Sequence, residues 1–284
     1  MPSVWKPYLV AQWGFCIILG YRFFGNAQFG SKSHHTLVRT NAGFHTCTHY
    51  IINRQIMWYL GRVRGKSITV FPLSFGGQPW TQSNVTKFLG VYLNEHITWK
   101  YHINFVCKQI AKSVGILSGT HFYWSCKTNL MLNYTLIYPY ITYCNSTWSS
   151  TYVSNLKRIY YLQKRAVQAV TNSDYQAHTA PLFSKLKILD IFQINTLDIA
   201  KFMFHYHNNL LPPLFLNLFM TNSQVHTYDT RTAGNYRMHS CRTNIKKFTI
   251  LYQGPRIWNS LPASITNLSS FPTFKNKVLE FLLK

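Results

Sequence analysis

Two short constellations near the amino terminus have the residue types of a chemical site. His45-Thr-Cys-Thr-His49 spaces three soft ligands two residues apart, which in an extended segment would share one side. A tetrahedral zinc site needs a fourth ligand at matching spacing, and the sequence offers none, so no metal site is expected. Gly61-Arg-Val-Arg-Gly-Lys-Ser67 has the composition of a phosphate-cradling loop. It places three residues between its glycines where four are required, so no cradle is expected either. The six acids, Glu95, Asp174, Asp190, Asp198, Asp229 and Glu280, are scattered, with no two adjacent. Two-metal and glycosidase chemistry both need convergent carboxylates, so no catalytic residue is assigned. His205 and His207 flank Tyr206 on an expected helix and point about 200° apart, which rules out joint chelation. The six cysteines contain no C-x-x-C pair and are expected as reduced, buried thiols, Cys107 among them.

The cations are the stronger signal. Against those six acids stand 29 Lys+Arg, for a net charge of +23. A compact chain of that charge repels itself unless a polyanion is near, which points to nucleic acid or an anionic membrane surface. Residues 1–84 hold eight Lys or Arg and no acid, 85–170 nine and one, and 171–284 twelve and five. The first segment shows neither a helical nor an alternating period and is expected to be a basic segment without a fold of its own. The apolar run from Tyr8 to Leu19 is too short to span a bilayer and leads into Arg22 instead of a cleavage site. A nuclear or cytoplasmic, non-secreted protein is therefore expected. The alternatives are a membrane-surface protein anchored by residues 8–24, or a degenerate element with no function.

From Asn84 onward, elements emerge that could position these cations. Alternating β-branched and aromatic residues from Asn84 to Lys100 predict a hairpin, with its turn at Asn94-Glu95. Ile103, Val106, Ile110, Val114 and Leu117 recur at helical spacing, leave Lys108 and Lys112 on another side, and fray at Gly115 and Gly119. A second helix is predicted over Thr128–Trp148 with a break at Pro139, and a third over Val153–Val170. The third has Leu156, Ile159, Leu162, Ala166 and Val170 on its apolar side and Lys157, Arg158, Lys164 and Arg165 elsewhere. Beyond it, helices are predicted over Leu182–Leu189, over Ile191–His207 with Pro212-Pro213 as its stop, and over Ser270–Leu283. Residues 221–250 read as a loop, with one strand over Lys247–Leu251, and Gly254–Pro262 as a turn-bounded helical turn carrying a core Trp258. The fold class is thus mostly α: a small β-hairpin, a helical bundle over 85–170, and a further helical region over 171–284.

Five pieces of this stretch, in order, resemble the reverse transcriptases of non-LTR, LINE-type retrotransposons, particularly the jockey-like and chicken-repeat-like groups. They are Lys87-Phe-Leu-Gly-Val-Tyr-Leu with Ile97-Thr-Trp-Lys-Tyr-His-Ile103; Leu162-Gln-Lys-Arg-Ala166; and His178-Thr-Ala-Pro-Leu-Phe-Ser-Lys-Leu-Lys-Ile-Leu189. Tyr228-Asp-Thr-Arg231 and Gly254-Pro-Arg-Ile-Trp-Asn-Ser-Leu-Pro262 with Ser270-Phe-Pro-Thr-Phe-Lys275 complete the set. The resemblance implies a carboxy-terminal piece of such an enzyme: primer grip, thumb-like bundle and downstream helices. The family's palm aspartate and Tyr-x-Asp-Asp turn have no counterpart before Asn84, so a truncated, inactive polymerase is expected. No cofactor is expected, because magnesium would belong to the missing palm.

The expected partner is a DNA or RNA–DNA duplex, held without regard to sequence. Phe88 beside Lys87, Trp99 beside Lys100, and His102 combine rings and cations that could pack against sugars or bases while meeting phosphates. The primer-grip resemblance adds Leu89 and Gly90. Lys108, Lys112, Lys157, Arg158, Lys164 and Arg165 complete the candidate nucleic-acid-binding set on the helices.

Overall fold

The computed structural model describes residues 74–75, 78–79, 85–94, 96–215, 217–225 and 230–283. The metal-like and phosphate-loop-like segments at 45–49 and 61–67, the cysteines Cys16 and Cys47, and the anchor considered at residues 8–24 lie outside them. The chain divides into two compact units, 1–102 and 103–284.

In the first unit, β1 (Ser74–Phe75) pairs antiparallel with β2 (Gln78–Pro79), and β3 (Val85–Phe88) with β4 (Val91–Asn94). The second pair is the expected hairpin, but its turn is Leu89-Gly90, not Asn94-Glu95. Both turn residues have positive φ, 45° and 83°, the geometry whose twist suits a two-residue hairpin. Asn94 makes a different turn one strand later: its Oδ1 accepts from Thr98 N at 2.9 Å, and its carbonyl accepts from Ile97 N at 3.0 Å. The residues that were expected to extend the second strand are bent instead, with Ile97 and Trp99 at φ 49° and 61°.

Helix α1 (Lys100–Thr120) opens in the first unit and runs on into the second. Its predicted apolar residues Ile103, Val106, Ile110, Val114 and Leu117 are all buried. Gly115 and Gly119 do not fray it. The expected second helix is three: α2 (Cys126–Leu136), α3 (Tyr138–Thr142) and α4 (Asn145–Trp148). Pro139 sits in the first turn of α3, where its missing N–H costs nothing, and Cys144 in the left-handed region (φ 51°) makes the second break. Helix α5 (Val153–Thr171) ends at Asn172 in the same left-handed conformation, and α6 (Ala180–Leu186) ends likewise at Lys187. Val167 of α5, Phe183 of α6 and Ile188 form one apolar cluster, covered by Leu130 of α2.

Helix α7 (Ile191–His207) is the centre of the second unit, and it packs against α4, α5, α9 (Ile250–Ser260) and α11 (Phe271–Leu282). It is accordingly apolar on most sides, with Ile191, Ile194, Leu197, Ile199, Ala200, Phe202, Met203 and Phe204 buried. It stops at Asn208 and turns at Asn209 (φ 53°), before the prolines that were expected to end it. Between α7 and α9 come turns and the short helix α8 (Asn244–Lys247); α10 (Ala263–Thr266) links α9 to α11. The strand expected over Lys247–Leu251 is absent: those residues close α8 and open α9. Gly254-Pro255 reads locally as a turn, yet lies inside α9, where tertiary packing overrides propensity. The glycine is needed for that packing, since an added Cβ would lie 2.7 Å from Met203 Sδ. Trp258, as expected, is core, against Phe274 of α11 and His207. Of the described cysteines, Cys107 and Cys144 are buried, but Cys126 is exposed and Cys241 only half-buried; all four are free thiols.

The start of α7 is fixed from three directions. Asp190 and Gln193 form a reciprocal capping box. Gln193 Nε2 also donates to the Leu282 carbonyl at the end of α11, at 2.6 Å. The buried Gln163 of α5 accepts from Ile191 N at 2.9 Å and donates to the Leu189 carbonyl at 3.4 Å. Gln163→Leu keeps the side-chain volume and leaves both backbone groups unpartnered. It should lower unfolding stability by about 1–3 kcal/mol in urea titrations. A loss below about 0.5 kcal/mol would show that this link is not structural.

Candidate nucleic-acid interface

In the first unit the candidate residues divide by burial. Lys87 stands directly across the hairpin from Tyr92, its Nζ 5.7 Å from the ring centroid, a cross-strand cation–π pair. Phe88, opposite Val91, is half-buried, while Leu89 and Gly90 form the exposed hairpin tip. Lys100 is exposed at the start of α1. Trp99 and His102 are only 5% and 3% exposed, which corrects the expectation that their rings face a nucleic acid. The positive φ of Trp99 turns the indole inward, and His102 Nδ1 accepts a hydrogen bond from Tyr92 N at 3.4 Å.

Burial pushes the His102 pKa down to about 4, so near neutral pH the ring is an uncharged acceptor. An unfolded histidine titrates near 6.5, so the stability this ring contributes is fully present above about pH 6.5 and is lost as pH falls toward 4. Proton NMR titration should show a His102 midpoint well below the ordinary histidine value of about 6.5. A midpoint near 6.5 would contradict the buried acceptor.

In the second unit, α1 and α5 both line a cleft of about 470 Å³. The α1 wall includes Ala111, Gly115 and Ser118; the α5 wall includes Leu162, Arg165 and Ala169. Helical spacing extends both walls. Asn104 and Lys108 continue the α1 stripe, and Arg158 lies two turns before Arg165 on α5. The two stripes are joined where Arg158 donates to Asn104 Oδ1. Lys108, Lys112, Arg158 and Arg165 are all exposed; Arg165 lines the cleft, Lys108 and Arg158 continue its two walls, and Lys112 lies about 100° around α1 from Ala111. Gly115 has no heavy atom within 4 Å of an added Cβ, so the cleft is open there.

The four cations of α5 therefore do not form one cluster. Each lysine precedes an arginine by one residue, which turns it about 100° around the helix. Lys157 and Lys164 lie on a neighbouring face, where Lys164 Nζ sits 4.8 Å from the Tyr160 ring centroid and 6.0 Å from that of Tyr161. Arg165 stays at the cleft because Tyr175 holds it: the guanidinium is 5.7 Å from the ring, and Nη2 donates to the hydroxyl at 3.2 Å. Tyr175 and His121, which also lines the cleft, carry no neighbouring cation in sequence and were not singled out by that signal. The burial of Cys107 raises its thiol pKa, and the nearby Arg158 charge opposes the rise, so this is a packed thiol.

Among the described residues no acid lines the cleft, although Asp174 stands between two lining residues, Ser173 and Tyr175. Asp190 caps α7; Asp198, whose pKa burial raises, pairs with Lys201 at 2.8 Å; and Glu280 pairs with Lys277 at 3.0 Å. The Asp174 carbonyl accepts from Ala177 N at 3.0 Å, closing the turn that holds Tyr175. Among the described residues no group of His, Cys, Asp or Glu could hold a metal ion, and no helix is long and apolar enough to cross a membrane. His205 packs on Phe271 at 4.6 Å and His207 Nδ1 meets the Tyr236 hydroxyl at 2.9 Å, so they work apart.

The chain is thus a basic, mostly helical protein with a small hairpin and a cleft lined by Arg165. A probable RNA-directed DNA polymerase from transposon X-element of Drosophila melanogaster is 25% identical to it over 136 residues, 46% of this chain and 14% of that protein. The chain therefore shares an origin with a transposon reverse transcriptase, although it corresponds to only a small part of that relative's length. No protein-family model matches the chain. No solved structure matches it significantly.

Proposed function

We propose that this chain binds nucleic-acid duplex without sequence preference, as the thumb-side part of a non-LTR retrotransposon reverse transcriptase whose palm chemistry lies outside it. In this reading 85–170 is the primer-grip and thumb-like region and 171–284 the helical region downstream. The carrying observation is that exposed cations stand on both helices of the cleft, Arg158 and Arg165 on α5 and Lys108 and Lys112 on α1, with no acid among the described residues that line it. Cations on two rigid helices are suited to phosphates, which position a duplex without specifying its sequence. The kinship with a transposon polymerase supports nucleic acid over other polyanions. Among the described residues no group of acids could hold a metal pair.

Each phosphate contact releases about one counterion, so affinity should fall steeply with salt. Replacing Lys108 and Lys112 by Ala should reduce the slope of log affinity against log salt by about 1–2 units on DNA and RNA–DNA duplexes alike. The Lys157→Ala, Lys164→Ala pair, on the neighbouring face, should change it by less than about half as much. Fluorescence anisotropy over a salt series measures both. An unchanged slope in the folded Lys108/Lys112 variant would remove α1 from the interface.

A further inference from the structure

Four rings follow α1 in sequence: His121-Phe122-Tyr123-Trp124. Phe122 is 74% exposed, Tyr123 84% and Trp124 52%, although large rings are what a chain ordinarily buries. They are not a loose end. His121–Tyr123 form a 3-10 turn, and the buried Asn129 donates from Nδ2 to the carbonyls of His121 and Trp124, at 3.1 and 3.4 Å. His121 Nδ1 donates to the Ser118 carbonyl at 2.7 Å. The backbone of the turn is clamped from beneath while its rings face solvent.

This turn stands at one end of the α1/α5 cleft, because His121 is part of the lining together with Arg165 and Tyr175. Tyr175 is itself 70% exposed and carries the Arg165 guanidinium. Tyr175 is held beside a permanent cation, and the clamped turn adds exposed rings at the same end of the cleft, a combination that suits a ligand with flat faces and negative charge. Every nucleobase has a face that stacks on an aromatic ring, and its phosphate meets the guanidinium. A duplex hides those faces in its own stack except at its two ends, so the rings offer its length nothing; unpaired bases expose them throughout. An apolar protein surface would suit the rings but not the cationic rim, and the +23 charge of the chain favours a polyanion.

We propose that Phe122, Tyr123, Trp124 and Tyr175 form a stacking platform for single-stranded nucleic acid at the end of the duplex-binding cleft. The inference rests on the nucleic-acid reading above and adds a second substrate class to it. The test uses the full chain, a short labelled oligothymidylate and a blunt DNA duplex, read by anisotropy, with circular dichroism to confirm folding. Replacing Phe122 and Tyr123 together by Ala should weaken single-strand binding about ten-fold or more, and leave duplex affinity within about two-fold. Tyr175→Phe, which keeps the ring, should bind the single strand better than Tyr175→Ala. Equal single-strand affinity in wild type and variants, with duplex binding intact, would overturn the platform and leave the patch to a protein partner. Failure of the wild-type chain to bind either ligand would overturn the nucleic-acid reading itself, and the platform with it.

Discussion

One buried side chain, Gln163, does much to set what the second unit presents to solvent. Its carboxamide meets the first N–H of α7 and the carbonyl just before that helix. Those groups have no helical partner of their own, and leaving them unpaired in the interior would be costly. The contact therefore fixes the rotation of α5 about its own axis. With Gln163 turned inward, Arg158 and Arg165 are carried to the far side of the helix, where they face the α1 stripe. Helix α7, apolar on most sides, is the post against which this rotation is set.

The same arrangement bears on the charge problem. A chain of +23 with six acids cannot neutralise itself by ion pairs, and among the described residues the acids serve mainly local ends: a helix cap, a partly buried partner for Lys201, a surface pair with Lys277. The cations remain on the outer faces of α1 and α5, with apolar contacts behind them. Their mutual repulsion is tolerated because burial around α7 and the α2–α5–α6 cluster stabilises the core. A polyanion in the cleft would relieve it, so binding and stability are coupled through one electrostatic term.

Strong periodicity was legible in the sequence. The faces of α1 and α5, the span Ile191–His207 and the last helix came through nearly residue for residue, because long amphipathic patterns constrain both length and rotation. Local punctuation was less reliable. Asn94 was assigned the hairpin turn because asparagine favours turns, whereas the chain used Leu89-Gly90 and kept Asn94 for the turn that follows. Gly254-Pro255 suggested a break, yet packing against Met203 keeps it helical. In the candidate site the identity of the cations was legible and their grouping was not. Four basic residues on one helix look like a cluster until the 100° step separates lysines from arginines. Trp99 and His102 were misjudged for a related reason: a ring beside a cation in sequence says nothing about which way the backbone turns it, and here positive φ and a hydrogen bond to Tyr92 take both inward.

The central claim, that the α1 side of the cleft is the phosphate-binding face, is open to a direct footprint. Lysines of the full chain would be acylated at low reagent concentration with and without an RNA–DNA duplex, and modification read at each site by mass spectrometry. The account predicts that the duplex protects Lys108 and Lys112 while Lys185, Lys187 and Lys277, exposed on other elements, react as before. Protection of those three with Lys108 and Lys112 unchanged would contradict it.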